Sequence, residues 1–532
     1  MIFRDLINRW PSRVISGIVG IIFAAPFVYL LIRNSQSGNT FISTLLTGKT
    51  LEPLGRTLAL GIAVSGATAI LGTGSAWIVT RSDIYLKRFW LTVLPLPLVI
   101  PSFIGAFALI AAFAPGGFIE GALDPIGINL PPVRGFAAAF TVITLLTYPL
   151  VFLPVAARVT QLSASLEEMS RLLGHKPLRS FFTVVIPQIT GAIFAGSLLV
   201  FLYTISDFGA VQLLQYDTLT RSIFATRLLD PDISLALSLQ LGLVAIVIVV
   251  AQKYLSRAFI RSDMRRETRT LHVPLKNWRT PSAIILALLT IGSLIAPVGV
   301  LLYWSIRGML RGSTRVSSLV TDLGSLAQPT LNTALVSIIA GAIAVSVVLP
   351  IAYSIIRQRS KIGSIASAFV TSSFALPGLV IALSLVFWAL DTPGPIAGIY
   401  QTIPLLIIAY VLNFGALAMP TTQVAVAGAP PQLIDAARTL GLKRSARFRR
   451  VEIPLILPGL LAAGGLVLLS TMKELPATLL LAPPGFETLA TKIWNSTEDA
   501  FLADASIASL VLIALSAVLT YWLVIRRSTA IH

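Results

Sequence analysis

The chain has 532 residues, of which 55% are hydrophobic and only 12% are charged, and its mean hydropathy is +0.86. So much apolar sequence exceeds what a soluble core can absorb, which excludes a soluble globular protein and predicts an all-α polytopic membrane protein. The formal net charge of +18 could indicate nucleic-acid binding, but most Lys and Arg residues fall in loops on one side of the predicted membrane. That distribution is the positive-inside asymmetry, so we expect no nucleic-acid partner. There are no cysteines and only three scattered histidines, so we expect no disulfide, no metal cluster and no cofactor.

The first half of the chain begins with a basic segment and an apolar run. Arg4, Arg9 and Arg13 precede the run, which extends from about residue 15 to 32. We interpret it as the first span, with the amino terminus in the cytoplasm, because no cleavage site of a signal peptide follows cleanly. Later runs are each close to the ~20 residues that a bilayer requires. They predict spans at about 57–80, 89–114, 136–157, 188–204 and 236–252.

A basic linker separates this half from the next one. The segment 253–280 is rich in Lys and Arg, which places it in the cytoplasm. Further spans are predicted at about 283–304, 331–356, 365–390, 403–423, 455–481 and 506–525. Arg526 and Arg527 follow the last span, so both termini are expected in the cytoplasm. The predicted domains are a first half at 1–260 (core about 54–255), a linker at 261–282 and a second half at 283–532 (core about 328–526).

The two halves repeat each other in parallel. At one constant spacing, four residues of the first half align with identical residues of the second: Thr57, Ala76, Arg81 and Pro101 with Thr333, Ala352, Arg357 and Pro377. Both halves have the same number of spans from there on, in the same in/out sense. The sequence therefore predicts about 12 transmembrane helices as two tandem parallel repeats, related by an axis along the membrane normal. Such an arrangement suits a transport path between the halves.

A polar segment between two spans also occurs twice, at 163–187 and 430–454. The aligned residues that define it are Glu168, Arg171 and Gly174 in the first copy and Asp435, Ala436, Ala437, Arg438 and Gly441 in the second. Each copy predicts a short helix, capped by Ser165 with Glu168 in one and opened by Pro430 and Pro431 in the other. The glycines are expected in the left-handed conformation that ends a helix. An apolar face outside the bilayer indicates a protein partner, although one copy alone also fits a helix lying on the membrane surface.

These segments resemble the cytoplasmic signature loop of ABC-importer permeases, in which Glu-Ala-Ala, three residues and Gly are followed by a later proline. The run from Asp435 to Gly441 matches with Asp for Glu, whereas the run from Glu168 to Gly174 keeps the acid and the glycine but not the alanines. In that family the loop is the coupling helix that docks on the ATP-binding subunit. The resemblance implies a type I importer permease fold with two fused permease domains in a bacterial inner membrane. It also implies two cytoplasmic ATP-binding cassette subunits and an extracytoplasmic substrate-binding protein, so ATP hydrolysis is expected in the partners and no catalytic residue in this chain.

Two acidic residues and two prolines are candidates for the translocation path or gate. Asp207 aligns with Glu474 toward the outer end of the span after each signature loop, and charges in such places tend to face a water-filled path or a partner. The structural alternative is that Lys473 pairs with either acid and holds a broken helix in place. Pro101 and Pro377 free backbone carbonyls, which a membrane tolerates only where protein or water satisfies them. Path-lining bends and simple packing kinks both fit these prolines.

The runs around the acids narrow the resemblance. Lys473-Glu474-Leu475-Pro476-Ala477 and Ser206-Asp207-Phe208-Gly209-Ala210 resemble the ferric-iron branch of the fused permeases, which implies Fe³⁺ as the substrate. Relatives that carry thiamine, phosphonate or other small solutes share much of this pattern. A secondary transporter with 12 spans also fits two parallel halves but leaves the signature loops unexplained, and a non-transporting membrane scaffold explains neither loops nor acids. For the acids we expect gating or transient contact, not a stoichiometric metal site.

Overall fold

The computed structural model describes residues 2–36, 47–117, 119, 133–162, 164–259, 274–311, 323–374, 376–392, 394 and 397–520. Within these ranges ten helices are long and apolar enough to span a membrane, and two bent helix pairs raise the number to 12 if each pair is one span. The prediction of an all-α protein with about 12 transmembrane helices is therefore confirmed. Most of the predicted linker, as well as Arg526 and Arg527, lies outside the described residues.

The helices of the first half run from the amino terminus to the linker. They are α1 (Ile2–Gln36), α2 (Gly48–Arg81), α3 (Lys87–Val93), α4 (Ser102–Phe113), α5 (Phe136–Thr147), α6 (Pro149–Val159), α7 (Ala164–Leu172), α8 (Ile186–Ser206), α9 (Gly209–Leu213), α10 (Leu219–Thr226) and α11 (Pro231–Phe259). Helices α5 and α6 together form one span. The predicted signature loop corresponds to α7 and the segment that leads to α8.

The second half repeats this order. Its helices are α12 (Arg279–Thr290), α13 (Ala296–Arg311), α14 (Ala327–Ile356), α15 (Lys361–Ser373), α16 (Gly378–Asp391), α17 (Ile403–Gly428), α18 (Pro431–Thr439), α19 (Ile453–Thr471), α20 (Pro476–Leu481), α21 (Leu489–Glu498) and α22 (Leu502–Thr520). A π-helical segment at Ile291–Ile295 joins α12 and α13 into one span. From α14 onward each helix has a counterpart in the first half, beginning with α2.

Individual hydrogen bonds repeat between the halves as well. The Thr57 hydroxyl oxygen accepts from the Leu219 amide at 2.8 Å, and the aligned Thr333 hydroxyl accepts from the Leu489 amide at 2.8 Å. The first bond joins α2 to the short helix α10, and the second joins α14 to the short helix α21. The duplication therefore extends to local packing and not only to the order of the helices.

The two peripheral spans are exchanged between the halves. The Ser16 hydroxyl on α1 lies 3.0 Å from the Ser354 hydroxyl, and Tyr29 donates to Asp391 at 2.7 Å, so α1 packs on the second half. Conversely, the Trp304 indole on α13 donates to the Ala111 carbonyl of the first half at 2.9 Å. Each peripheral span thus contacts the other half, while α13 also packs on α22 and α1 on α11 of their own halves.

The third span of each half is broken by proline. Helices α3 and α4 meet at an angle of 91°, and α15 and α16 meet at 104°. Pro101 and Pro377 are the residues immediately before α4 and α16. A proline has no amide hydrogen for the preceding turn and disfavours helix in the residue before it, which accounts for a break at this position.

Candidate functional site

The signature helices α7 and α18 begin in different ways. Helix α18 starts at Pro431 with Pro430 as its N-cap, as the sequence indicates. Helix α7 starts at Ala164, which makes Ser165 a residue of the helix itself. The predicted capping box of Ser165 with Glu168 is therefore wrong, because an N-cap residue must have a non-helical backbone.

Both signature helices end at a glycine in the left-handed conformation. Gly174 has φ +82° and Gly441 has φ +79°. After each glycine the chain closes the helix, with the His175 amide donating to the Ser170 carbonyl at 3.2 Å and the Leu442 amide donating to the Ala437 carbonyl at 3.2 Å. A Cβ atom added to either glycine would meet nothing within 4 Å. Glycine is thus required here for its backbone angle and not for space.

Apolar side chains are exposed on both signature helices. Met169, Leu172 and Leu173 are 59%, 89% and 74% exposed in the first, and Leu433 and Leu440 are 48% and 82% exposed in the second. Of the predicted coupling residues, Glu168, Asp435, Ala436 and Arg438 are exposed, Ala437 is buried, and the side chain of Arg171 lies outside the described part. Exposed apolar residues on two matching helices that lie between spans form surfaces suited to a protein partner.

Two aligned arginines, of which Arg81 is buried and Arg357 is half-buried, hold the chain where it enters each signature helix. Arg81, the last residue of α2, donates to the Leu162 carbonyl at 3.0 Å. The aligned Arg357, just after α14, donates to the Ala429 carbonyl at 2.7 Å and to the Val426 carbonyl at 3.0 Å. These carbonyls lie at the end of the span that precedes each signature helix. Both arginines therefore fix the position of the signature helix relative to the bundle. The sequence alignment identified the arginine pair, but nothing in it indicated this role.

Asp207 lies where three elements of the first half meet. It follows α8, and one carboxylate oxygen accepts from the Ala210 amide at 3.0 Å, which caps α9. The other oxygen accepts from the hydroxyl of Ser102, the first residue of α4 after Pro101. The structure thus brings together two predicted path residues, Asp207 and Pro101.

Glu474 occupies the matching place in the second half. Its carboxylate accepts from the Ala477 amide at 3.2 Å and caps α20. A Cβ atom added to Gly378, the residue after Pro377, would lie 2.7 Å from the Glu474 carboxylate. Gly378 aligns with Ser102. Glu474, the longer acid, therefore faces a glycine, whereas Asp207, the shorter acid, faces a serine. The two halves therefore build the same contact with compensating side-chain lengths.

Lys473 does not pair with either acid, contrary to the structural alternative. Among the ion pairs found in the described ranges none involves Lys473. Its ammonium donates instead to the Leu98 carbonyl of the first half, at 2.8 Å. Leu98 belongs to the 3₁₀ segment before Pro101, and its natural partner would be the amide of residue 101, which proline lacks. The lysine of one half thus satisfies a carbonyl that the helix break of the other half leaves free.

Both carboxylates lie near the boundary between the halves. Tyr203 on α8 lies near both Asp207 and Glu474. Gly209, two residues after Asp207, also lies close to Leu475, the residue after Glu474, because a Cβ atom added to Gly209 would lie 3.5 Å from the Leu475 side chain. This partly buried region offers two carboxylates, one ammonium and several hydroxyls. No group of three or more metal-ligating side chains occurs in the part of the chain that the structure describes.

Comparison with known proteins places these features in a family. The family model described as "Binding-protein-dependent transport system inner membrane component" matches residues 68–261 and again 337–528. The Fe(3+)-transport system permease protein FbpB 2 of Haemophilus influenzae is 30% identical over 515 residues, which cover 94% of this chain and 95% of that protein. The probable ABC transporter permease protein y4fN of Sinorhizobium fredii is 25% identical, over 81% of this chain and 78% of its own. The molybdenum transport system permease protein ModB of Mycobacterium tuberculosis is 28% identical over 46% of this chain and 92% of its own.

Proposed function

This chain belongs to the family of binding-protein-dependent transport system inner membrane components, and we propose that it forms the path by which an ATP-driven importer moves Fe³⁺ across the membrane. It carries the permease domain twice in one multi-pass membrane chain and is a transport subunit, not an enzyme. Fe³⁺ as the substrate is supported chiefly by the pair Asp207, which is buried, and Glu474, which is half-buried. Two carboxylates near the boundary between the halves favour a cation over an oxyanion, and hard cations prefer oxygen ligands.

The extent of the similarity supports the same substrate class. The relative named as a ferric permease matches nearly the whole chain, with both halves. The permease named for molybdenum matches 46% of this chain over 92% of its own length, and the permease named for 2-aminoethylphosphonate matches 27% of this chain over 54% of its own length. Because the binding protein selects the substrate in such systems, the path itself needs only a weak site. Asp207 and Glu474 would then act as transient contacts or as parts of a gate.

The exposed faces of α7 and α18 are the proposed docking surfaces for two ATP-binding cassette subunits. Their apolar residues would fill a groove on each subunit, as an amphipathic helix does in helix-in-groove recognition. Arg81 and Arg357 would transmit the movement, because they join the entry of each signature helix to a long helix of the bundle. On the opposite side of the membrane, the loops around α10 and α21 would receive the substrate-binding protein.

The substrate proposal is tested with the reconstituted complex. The chain, its two ATPase subunits and the binding protein are placed in proteoliposomes, and ATP hydrolysis is measured with the binding protein empty, loaded with Fe³⁺, or offered molybdate, phosphonate or thiamine. We expect stimulation above the empty state only by the ferric form. Stimulation by an oxyanion or by thiamine, with none by Fe³⁺, would overturn the substrate assignment but leave the permease assignment intact. Failure of any ATPase subunit to co-purify would overturn the proposed coupling and favour a secondary transporter.

The orientation of the chain gives a separate prediction. Because the chain has no cysteine, a single cysteine at the exposed position Asn277 reports one site only. We expect a membrane-impermeant maleimide to label it only after the cells are permeabilised, since the adjoining basic segment belongs in the cytoplasm. Glu498→Cys, exposed at the end of α21 on the other side, is the matched control and should be labelled in intact cells. The reverse pattern would invert the topology.

A further inference from the structure

A cavity of about 620 Å³ lies at the periphery of the bundle, and its lining includes neither Asp207 nor Glu474. It is bordered by α4 and α5 of the first half and by the exchanged span α12–α13 of the second. Small residues create the space, namely Gly105, Ala108 and Ala112 on one side and Gly292, Ala296 and Gly299 on the other. Its lining is almost wholly apolar, so a polar solute would lose hydration there without compensation.

The cavity is elongated along the exchanged span. Its lining runs from Gly292 to Ile306, which corresponds to a length of roughly 21 Å at the helical rise per residue. That length is comparable with one leaflet of the hydrocarbon core, about 15 Å. Leu302 and Ile306 at its border are 45% and 53% exposed, so the slot opens toward the surrounding lipid.

Arg307 and two aromatic residues, Tyr303 and Trp304, lie at the outer end of the slot, on the side of the membrane opposite the signature helices. Tyr303 donates to the Gly116 carbonyl at 2.9 Å, and Arg307 donates both to that carbonyl and to the Tyr303 hydroxyl. Arg307 has no acidic partner within ion-pair distance among the described residues. Its guanidinium also lies 5.1 Å from the centre of the Trp304 ring. Aromatic and basic residues in this position are typical of the membrane interface.

We propose that this slot is a binding site for an anionic phospholipid of the leaflet opposite the signature helices. One acyl chain occupies the apolar cavity, and the lipid phosphate lies against the half-buried Arg307 guanidinium. Basic residues between transmembrane helices bind lipid headgroups in this way, and the charge of Arg307 selects for an anionic one. The lipid would fill the space between α13 of one half and α4 of the other. The site is independent of the transported substrate.

The test uses the full-length chain in detergent and native mass spectrometry with two lipids of identical palmitoyl and oleoyl chains. Phosphatidylglycerol is anionic and phosphatidylcholine is zwitterionic. We expect one tightly bound phosphatidylglycerol, preferred about fivefold over phosphatidylcholine, the factor that one basic residue contributes at an anionic surface. Arg307→Gln should abolish that preference, and Arg307→Lys should retain most of it.

Gly299→Leu tests the cavity itself. A Cβ atom at Gly299 would meet nothing within 4 Å, so leucine projects into the open slot without disturbing the helix. We expect both lipids to bind about tenfold or more weakly, the equivalent of about two buried methylene groups. Gly66→Leu is the matched control, because Gly66 on the exposed face of α2 also has nothing within 4 Å of its Cβ position, and it should bind as the wild type does.

Three results would overturn the proposal. Unchanged lipid binding by Gly299→Leu would exclude the cavity as the acyl-chain site. Full preference for phosphatidylglycerol in Arg307→Gln would exclude the guanidinium as the headgroup contact. Displacement of the lipid by glycerol phosphate alone would show a headgroup site without an acyl-chain slot.

Discussion

The double variant Gly174→Val, Gly441→Val is expected to abolish ATP-driven transport while the protein remains in the membrane. Both glycines have left-handed backbones, which valine resists by roughly 1 kcal/mol or more at each position. Since a Cβ atom at either place meets open space, no clash unfolds the bundle. The strained backbone is instead expected to change the direction in which α7 and α18 present their exposed apolar faces. Transport of radiolabelled substrate into vesicles, with membrane content by immunoblot, gives the result.

Two controls separate the backbone angle from other effects. Gly428→Val alters the last residue of α17 on the same side of the membrane, where a Cβ atom also meets nothing within 4 Å and no positive φ is required. It should transport normally. Asparagine tolerates the left-handed conformation, so Gly174→Asn with Gly441→Asn should restore most of the activity. Normal transport by the double valine variant would remove the coupling role from these loops.

Neutralising both acids, as Asp207→Asn with Glu474→Gln, is expected to slow transport about tenfold or more, which corresponds to an activation barrier higher by roughly 1.4 kcal/mol. Amide side chains have nearly the same shape and can still accept from the amides of Ala210 and Ala477, so α9 and α20 keep their caps. What disappears is the negative charge offered to a cation at the boundary between the halves. ATPase subunits should still co-purify with the variant, and the transport rate should fall.

Ser102→Ala and Lys473→Gln complete this experiment. The first removes a hydrogen bond to Asp207 without changing charge, so its effect measures the positioning of the acid alone. The second removes the positive charge of the cluster, along with the contact to the Leu98 carbonyl. If the doubly neutralised protein assembles and transports at the wild-type rate, Asp207 and Glu474 are helix caps and the path lies elsewhere.

Much of the fold follows from local sequence signals. Apolar runs of bilayer length predict the spans, and Pro101 and Pro377 account for the two sharp bends. The left-handed conformations of Gly174 and Gly441 follow from the short helices that precede them. Each of these features depends on residues close together in the chain, where the physical cause is local and visible in a single segment.

The contacts between the halves could not be predicted in the same way. The repeat does not reveal that α1 packs on the second half and α13 on the first, because apolar spans carry little information about their neighbours. The position of Lys473 next to Glu474 in the sequence suggested an ion pair, yet the Lys473 ammonium donates to the Leu98 carbonyl of the other half. Likewise, the exchange of Ser102 for Gly378 explains the exchange of Asp207 for Glu474 only when the side chains are seen in contact.

The exchanged spans also impose an order on biosynthesis. Ser16 on α1 contacts Ser354, which is 338 positions further along the chain. At a synthesis rate of about 5–20 residues per second, the ribosome takes on the order of half a minute to make that partner. During this interval α1 must wait in the bilayer with one face uncovered, and the first half matures only once the second has been inserted. Because both halves belong to one polypeptide, the second half is inserted at the same translocon and in equal amount. Helix α1 therefore does not have to find its partner by diffusion.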